Sequence, residues 1–134
     1  MNIDGKAVCH PWMCDVMGHM TTRHYIAIFD DASYHLLSRV FGWSGSDAAD
    51  NDLGWVDVKH TVEYLDEVRN GQLLQVSGKL IKLGKKSIVV HYEMRETSSQ
   101  KVVATLEAVS VLFNTKTREA VVIPDDMRPE IATP

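Results

Sequence analysis

The chain has little with which to staple itself. Its only two cysteines, Cys9 and Cys14, stand close together and form no C-x-x-C motif, so a disulfide framework is not expected and a reducing, cytoplasmic setting is. No apolar run is long enough to span a bilayer, and MNIDGKAVCHPW lacks the charged-then-apolar order of a secretory signal. Positive charge is not in excess: 14 Lys and Arg against 18 Asp and Glu leave a net charge of −4. That balance gives no reason to expect nucleic acid as a partner, and no basic amphipathic face points to a membrane surface. Internal repeats and low-complexity tracts are absent. What remains is a chain of 134 residues, 45% hydrophobic, enough for one domain over residues 1–134 with a real core.

Periodicity divides that domain. Alternation over Lys6 to Met13 predicts a first strand. From Arg23 to Phe41, Tyr25, Ile28, Phe29, Ala32, Leu36 and Val40 recur at helical spacing. Thr21 or Thr22 can cap this helix, and Gly42 suits the left-handed position after its end. GWSGSDAADNDLG (Gly42 to Gly54) reads as a mobile connection. The remainder reads as sheet. Val56, Val58, His60, Val62 and Tyr64 are expected on one strand face; strands follow over Gln72–Leu83, Lys86–Glu96, Lys101–Phe113 and Glu119–Ile123. The class is α+β: an antiparallel sheet of five or six strands wrapped around one long central helix. Ala104 and Ala108 would let that helix approach closely.

The chemistry-bearing stretch is CDVMGHMTTRHY, residues 14 to 25. Asp15 falls between a strand and a helix start, where unpaired amides and the helix dipole favour negative charge. Amides around Met20 to Arg23 could receive an oxyanion, and a nearby carboxylate could attack the same carbon or activate water. Gly18 permits a tight turn or a close approach to a ligand. These parts fit acyl transfer, although an Asp ahead of a helix also serves commonly as a cap or loop residue.

Asp15-x-x-Gly18, then His24-Tyr25 and an apolar helix, resembles the signature of hotdog-fold acyl-CoA thioesterases of the 4-hydroxybenzoyl-CoA thioesterase-like family. The likeness continues through YLDEVRNG (Tyr64 to Gly71), Gly84 to Ile88, Pro124 and Arg128. It implies a hotdog fold and hydrolysis of acyl-CoA to free acid and coenzyme A without a cofactor. It also implies a homodimer or homotetramer with pockets between subunits. Asp15 would be nucleophile or general base, with the oxyanion received by a backbone amide near Thr22. The chain departs from the commoner family pattern over His19 to His24, which bears on the substrate more than on the reaction. A hydratase on the same fold, or a non-catalytic acyl-thioester binding module, are the alternatives.

Other residues have two readings each. His19 and His24 could each orient Asp15, bind the acyl group or simply satisfy exposed backbone; Gly18 and Met20 would border the substrate, and Tyr25 fits the core. Lys82, Lys85 and Lys86 around one hairpin tip, and Arg128, are either solvated surface or anchors for coenzyme A phosphates. Asp30 and Asp31 are a solvated or interface-facing edge, or a second acid reaching a neighbouring pocket. His60 is expected as a hydrogen-bonded core histidine, and Glu107 as an outward residue paired with Arg95. Cys9, His10, Cys14, Asp15, His19 and His24 lack the spacing of zinc ligands, so no metal is expected.

Overall fold

Twenty residues from Thr22 to Phe41 form the long helix α1, and its stripe of Tyr25, Ile28, Phe29, Ala32, Leu36, Leu37 and Phe41 is buried. A computed structural model describes residues 2–130. Around α1 curls an antiparallel sheet built from β1 (Gly5–Val8), β2 (Leu53–Tyr64), β3 (Leu73–Leu83), β4 (Ser87–Glu96), β5 (Val102–Asn114) and the short β6 (Glu119–Ala120). The strand order is β1-β3-β4-β5-β2, with β6 on β5. Gly42 closes α1 in the left-handed conformation at φ 67°, donating its N–H to the last turn. Ile88, Val90, Tyr92 and Met94 of β4 face the core as their alternation predicts.

The helix lies closest to β1 and β3, where glycines remove the obstacle. A Cβ on Gly5 would stand 3.0 Å from the Ala32 methyl, and one on Gly78 would collide with Leu36 Cδ1 and lie 2.7 Å from the Tyr92 ring. Ala104 and Ala108 are buried, but the close approach of the helix expected there is made instead at these glycines on other strands. Gly78→Ala should therefore destabilise the fold by about 1–3 kcal/mol through overpacking, read by urea unfolding. Beside Gly78, the buried Asp4 carboxylate takes two bonds from Arg39 (2.9 and 3.0 Å) and one from the Gly78 N–H (3.0 Å). This clamp fixes the last turn of α1 to the sheet.

Several expectations need correction. The first strand stops at Val8, and Pro11–Met13 is a single 3-10 turn, because proline has no N–H to offer a ladder. The connection after Gly42 holds a helix, α2 (Gly45–Asn51), whose start is fixed by Ser44 N–H donating to Asp47 Oδ2 (2.8 Å). Buried Trp43 anchors the same segment, its indole N–H donating to Leu53 O (2.8 Å). In β2 the register shifts between Asp57 and Lys59, so Val58 is the extra residue of a bulge. Trp55, Asp57, His60 and Val62 consequently share the inner face with buried β5 partners, while Val56 pairs with Val111 on the outer face. Glu107 does point outward, but it pairs across strands with His91 and Thr61; Arg95 bonds Glu93 and the Gln100 carbonyl instead. The final strand is only Glu119–Ala120.

Candidate active site

A short hairpin leads into α1. Cys14 pairs with Met20, Asp15 N–H donates to His19 O (2.9 Å), and Thr21 N–H donates to Met13 O (3.0 Å). Gly18 turns the tip with φ 81°, a conformation that a side chain would strain. Inside the turn, Asp15 Oδ1 accepts the Met17 N–H (2.9 Å) and the His19 N–H (3.3 Å). One carboxylate oxygen is thus held by the backbone, which leaves Oδ2 for other chemistry.

Thr21 occupies the cap position of α1 but its side chain makes no capping bond, and its hydroxyl oxygen is buried with no partner among the described residues. Helix geometry leaves the Thr22 and Arg23 amides without intrahelical acceptors, while His24 N–H donates to Thr21 O (3.1 Å). A carboxylate that ends a turn and a helix start that offers free donors therefore lie on consecutive pieces of backbone.

Against this helix start opens a cleft of about 440 Å³ lined by His19, Met20, Thr22, Tyr25, Tyr64, Leu65, Asp66 and Glu67. Three candidates, His19, Met20 and Thr22, come together there; Asp15 and Gly18 lie on the adjoining hairpin rather than in the lining. His19 Nε2 meets Glu67 Oε2 at 3.1 Å, and Met20 N–H donates to Val68 O (2.7 Å). Glu67 is a residue that sequence reasoning missed as a site member. YLDEVRNG marks its segment, yet nothing in the spacing joins it to His19. Tyr25 is buried as expected, its hydroxyl donating to Asp66 O (3.4 Å) and its ring edge-on to Tyr64. Burial raises its pKa above the ordinary phenol value. His24 instead turns to the exposed Trp12, ring centroids 5.5 Å apart. Among the described residues no three His, Cys, Asp or Glu side chains are grouped to hold a metal ion.

The remaining candidates lie elsewhere. Arg128 donates to Gly84 O (3.1 Å), and the Lys85 and Lys86 carbonyls accept from Ile123 and Leu112, so Lys85, Lys86 and Arg128 share the β3–β4 hairpin tip. The opposite end of β3 adjoins Cys9 and the Asp15 hairpin. Eleven residues of strand separate the two ends by roughly 30 Å within one chain.

Asp30, exposed on α1, feels the charge of a polar group on the sheet: Ser110 donates to Asp57 Oδ1 (2.6 Å), and Asp57 Oδ2 lies 3.4 Å from His60 Nε2. His60 is thus a partly exposed partner of Asp57 rather than a core histidine. Asp31 borders a separate groove against β1. Burial first, then the negative charge of Asp57 and Asp31, raises the Asp30 pKa above 3.8. The stability tied to its proton is fully present below pH 3.8 and lost as pH rises through the raised value. Asp30→Asn should accordingly raise the thermal midpoint at neutral pH, with the gain vanishing below that pH.

Comparison with known proteins defines the class. The chain superposes on a hypothetical protein from Staphylococcus aureus, solved in complex with CoA, with a TM-score of 0.85 at 17% identity, covering 99% of this chain and 90% of that one. A gentisyl-coenzyme A thioesterase gives 0.79 at 19% identity (90% and 95% covered). A 1,4-dihydroxy-2-naphthoyl-CoA thioesterase from Synechocystis gives 0.78 at 15% identity (90% and 88% covered). The fold is the hotdog fold. Residues 9–131 match the family model of the thioesterase-like superfamily, and the chain belongs to that superfamily. No curated protein matches the sequence.

Proposed function

We propose that the protein hydrolyses acyl-CoA thioesters to free acid and coenzyme A at the junction of the Asp15 hairpin and α1. The observation that carries this reading is a carboxylate with one oxygen fixed by backbone donors, next to a helix start with open amides. The thioester carbonyl oxygen would meet the Thr22 amide, where developing negative charge is stabilised by several kcal/mol. Asp15 then attacks the carbonyl carbon, or removes a proton from the attacking water, and coenzyme A leaves. His19, held by Glu67, would support the hairpin and border the acyl group with Met20 and Gly18. His24 stands outside the lining of the cleft, against Trp12.

A single domain that works as a homo-oligomer is part of this proposal. Among the described residues β2 ends the sheet with an unpaired edge, and Val56, Val58, Tyr64 and Leu65 are exposed there. A twelve-residue edge left open is a template for pairing, and a second copy running antiparallel would cover it. Such a two-fold turns the partner's hairpin tip toward this chain's Asp15 end. Lys85, Lys86 and Arg128 would then anchor coenzyme A phosphates across the interface, not within one chain. Reversing the charge of Lys85 and Lys86 should raise KM for acyl-CoA in a salt-dependent way and spare kcat; an unchanged KM would remove the anchor. No helix among the described residues is long and apolar enough to cross a membrane, and we propose a cytoplasmic setting.

The reaction is tested by product analysis with a short enoyl-CoA and its saturated counterpart. Hydrolysis yields free thiol and free acid in equal amounts from either. A hydratase would leave the thioester intact and add water to the enoyl substrate alone, which would overturn this reading.

A further inference from the structure

The two cysteines carry chemistry that thioester hydrolysis does not use. Cys9 is completely buried at the end of β1 and Cys14 is half-buried at the foot of the Asp15 hairpin. Their sulfurs lie 3.5 Å apart, with one thiol hydrogen-bonded to the other. Both backbones are held in place: Cys9 N–H donates to Gln72 O (2.9 Å), Cys9 O accepts from Gly71 (2.7 Å), and Cys14 N–H donates to Pro11 O (3.1 Å). The pair is therefore a fixed feature of the fold rather than a chance approach of mobile side chains.

We propose that Cys9 and Cys14 are a reversible modification site, closed to an intramolecular disulfide by a low-molecular-weight disulfide. The accessible Cys14 reacts first, because burial pushes the Cys9 thiol up to about 12 and thiolate is the attacking form. Cys14 thiolate attacks one sulfur of the small disulfide; a mixed disulfide forms and one small thiolate leaves, taking up a proton. Cys9 then gives up its proton and attacks the Cys14 sulfur of the mixed disulfide, expelling the second small thiol. In sum, two protein thiols lose two hydrogens and one small disulfide becomes two thiols. The contact between the sulfurs makes this second step intramolecular, which offsets the poor acidity of Cys9.

Closure must draw the sulfurs from contact to a bond of about 2.05 Å. Both backbones are bonded in place, so closure strains the foot of the hairpin at Cys14, and the adjoining Asp15 shares that strain. Misplacing a catalytic group by about 1 Å costs on the order of a hundredfold in rate. This effect on turnover rests on the hydrolase reading; bond formation does not.

The test treats the full chain with oxidised glutathione and follows intact mass, a non-reducing peptide map and thiol release from acyl-CoA. The expected result is a transient glutathione adduct on Cys14, then a Cys9–Cys14 crosslink with no adduct, a fall in turnover of about tenfold or more, and full reversal by dithiothreitol. Cys9→Ala should stop at the Cys14 adduct. Retention of both thiols by the wild type, or a stable adduct without crosslinking, would each overturn the proposal; a crosslinked protein of unchanged turnover would overturn the effect on turnover and leave the disulfide standing. A reduced protein that hydrolyses no acyl-CoA would instead strike the hydrolase reading, and the mass measurement alone would then decide the disulfide.

Discussion

Asp15→Asn is expected to lower kcat for acyl-CoA hydrolysis by about 10²- to 10⁴-fold, the range a positioned acid or base supplies. Its effect on stability should stay within about 0.5 kcal/mol. The reason is local. Asp15 Oδ1 accepts the Met17 and His19 N–H groups, and the asparagine oxygen keeps both bonds. The turn, the Gly18 tip and the approach to α1 survive, while the charge and the nucleophilic oxygen are lost. Asp15→Ala removes the turn acceptor as well, so it should lower both activity and stability. Steady-state kinetics beside thermal unfolding separate the two variants, and an Asp15→Asn enzyme with near-normal turnover would exclude this carboxylate from the chemistry.

Arg39→Leu should be the most damaging substitution to the fold. It leaves the Asp4 side chain, only 2% exposed, with the Gly78 N–H as its remaining donor. An uncompensated buried charge typically costs 3–5 kcal/mol. Because Arg39 is itself about one-third exposed, part of its attraction is already screened, and a loss of roughly 3 kcal/mol is expected. Removing both charges in Asp4→Leu, Arg39→Leu should recover much of it. A double-mutant cycle by urea unfolding checks this, and additive losses would show that the two side chains act independently.

Much of this architecture could be read from pattern alone. The α1 stripe and the Ile88–Val90–Tyr92–Met94 alternation are legible because every inward position is apolar and the backbone runs regularly. β2 defeats the same logic: its alternation from Val56 to Tyr64 is unbroken in sequence, but the bulge at Val58 exchanges the faces and turns Asp57 inward. The helix α2 is short and polar, so it leaves no apolar stripe, and only Ser44-x-x-Asp47 announces it. At the site, Asp15 and the amides of the helix start were legible as local features of consecutive backbone. Glu67 was not, since its meeting with His19 is made by the packing of a distant segment. The position of Lys85, Lys86 and Arg128 likewise depends on strand order, which their spacing does not encode.

The most direct test of the central claim is thiol release by the wild-type protein from a panel of short, branched, aromatic and long acyl-CoAs, with binding measured on the same samples by calorimetry. A hydrolase turns over at least one acyl-CoA that it binds, with free thiol appearing catalytically. Acyl-CoAs that bind while none releases thiol would contradict that claim, and would leave the cleft beside α1 as a binding site without hydrolysis.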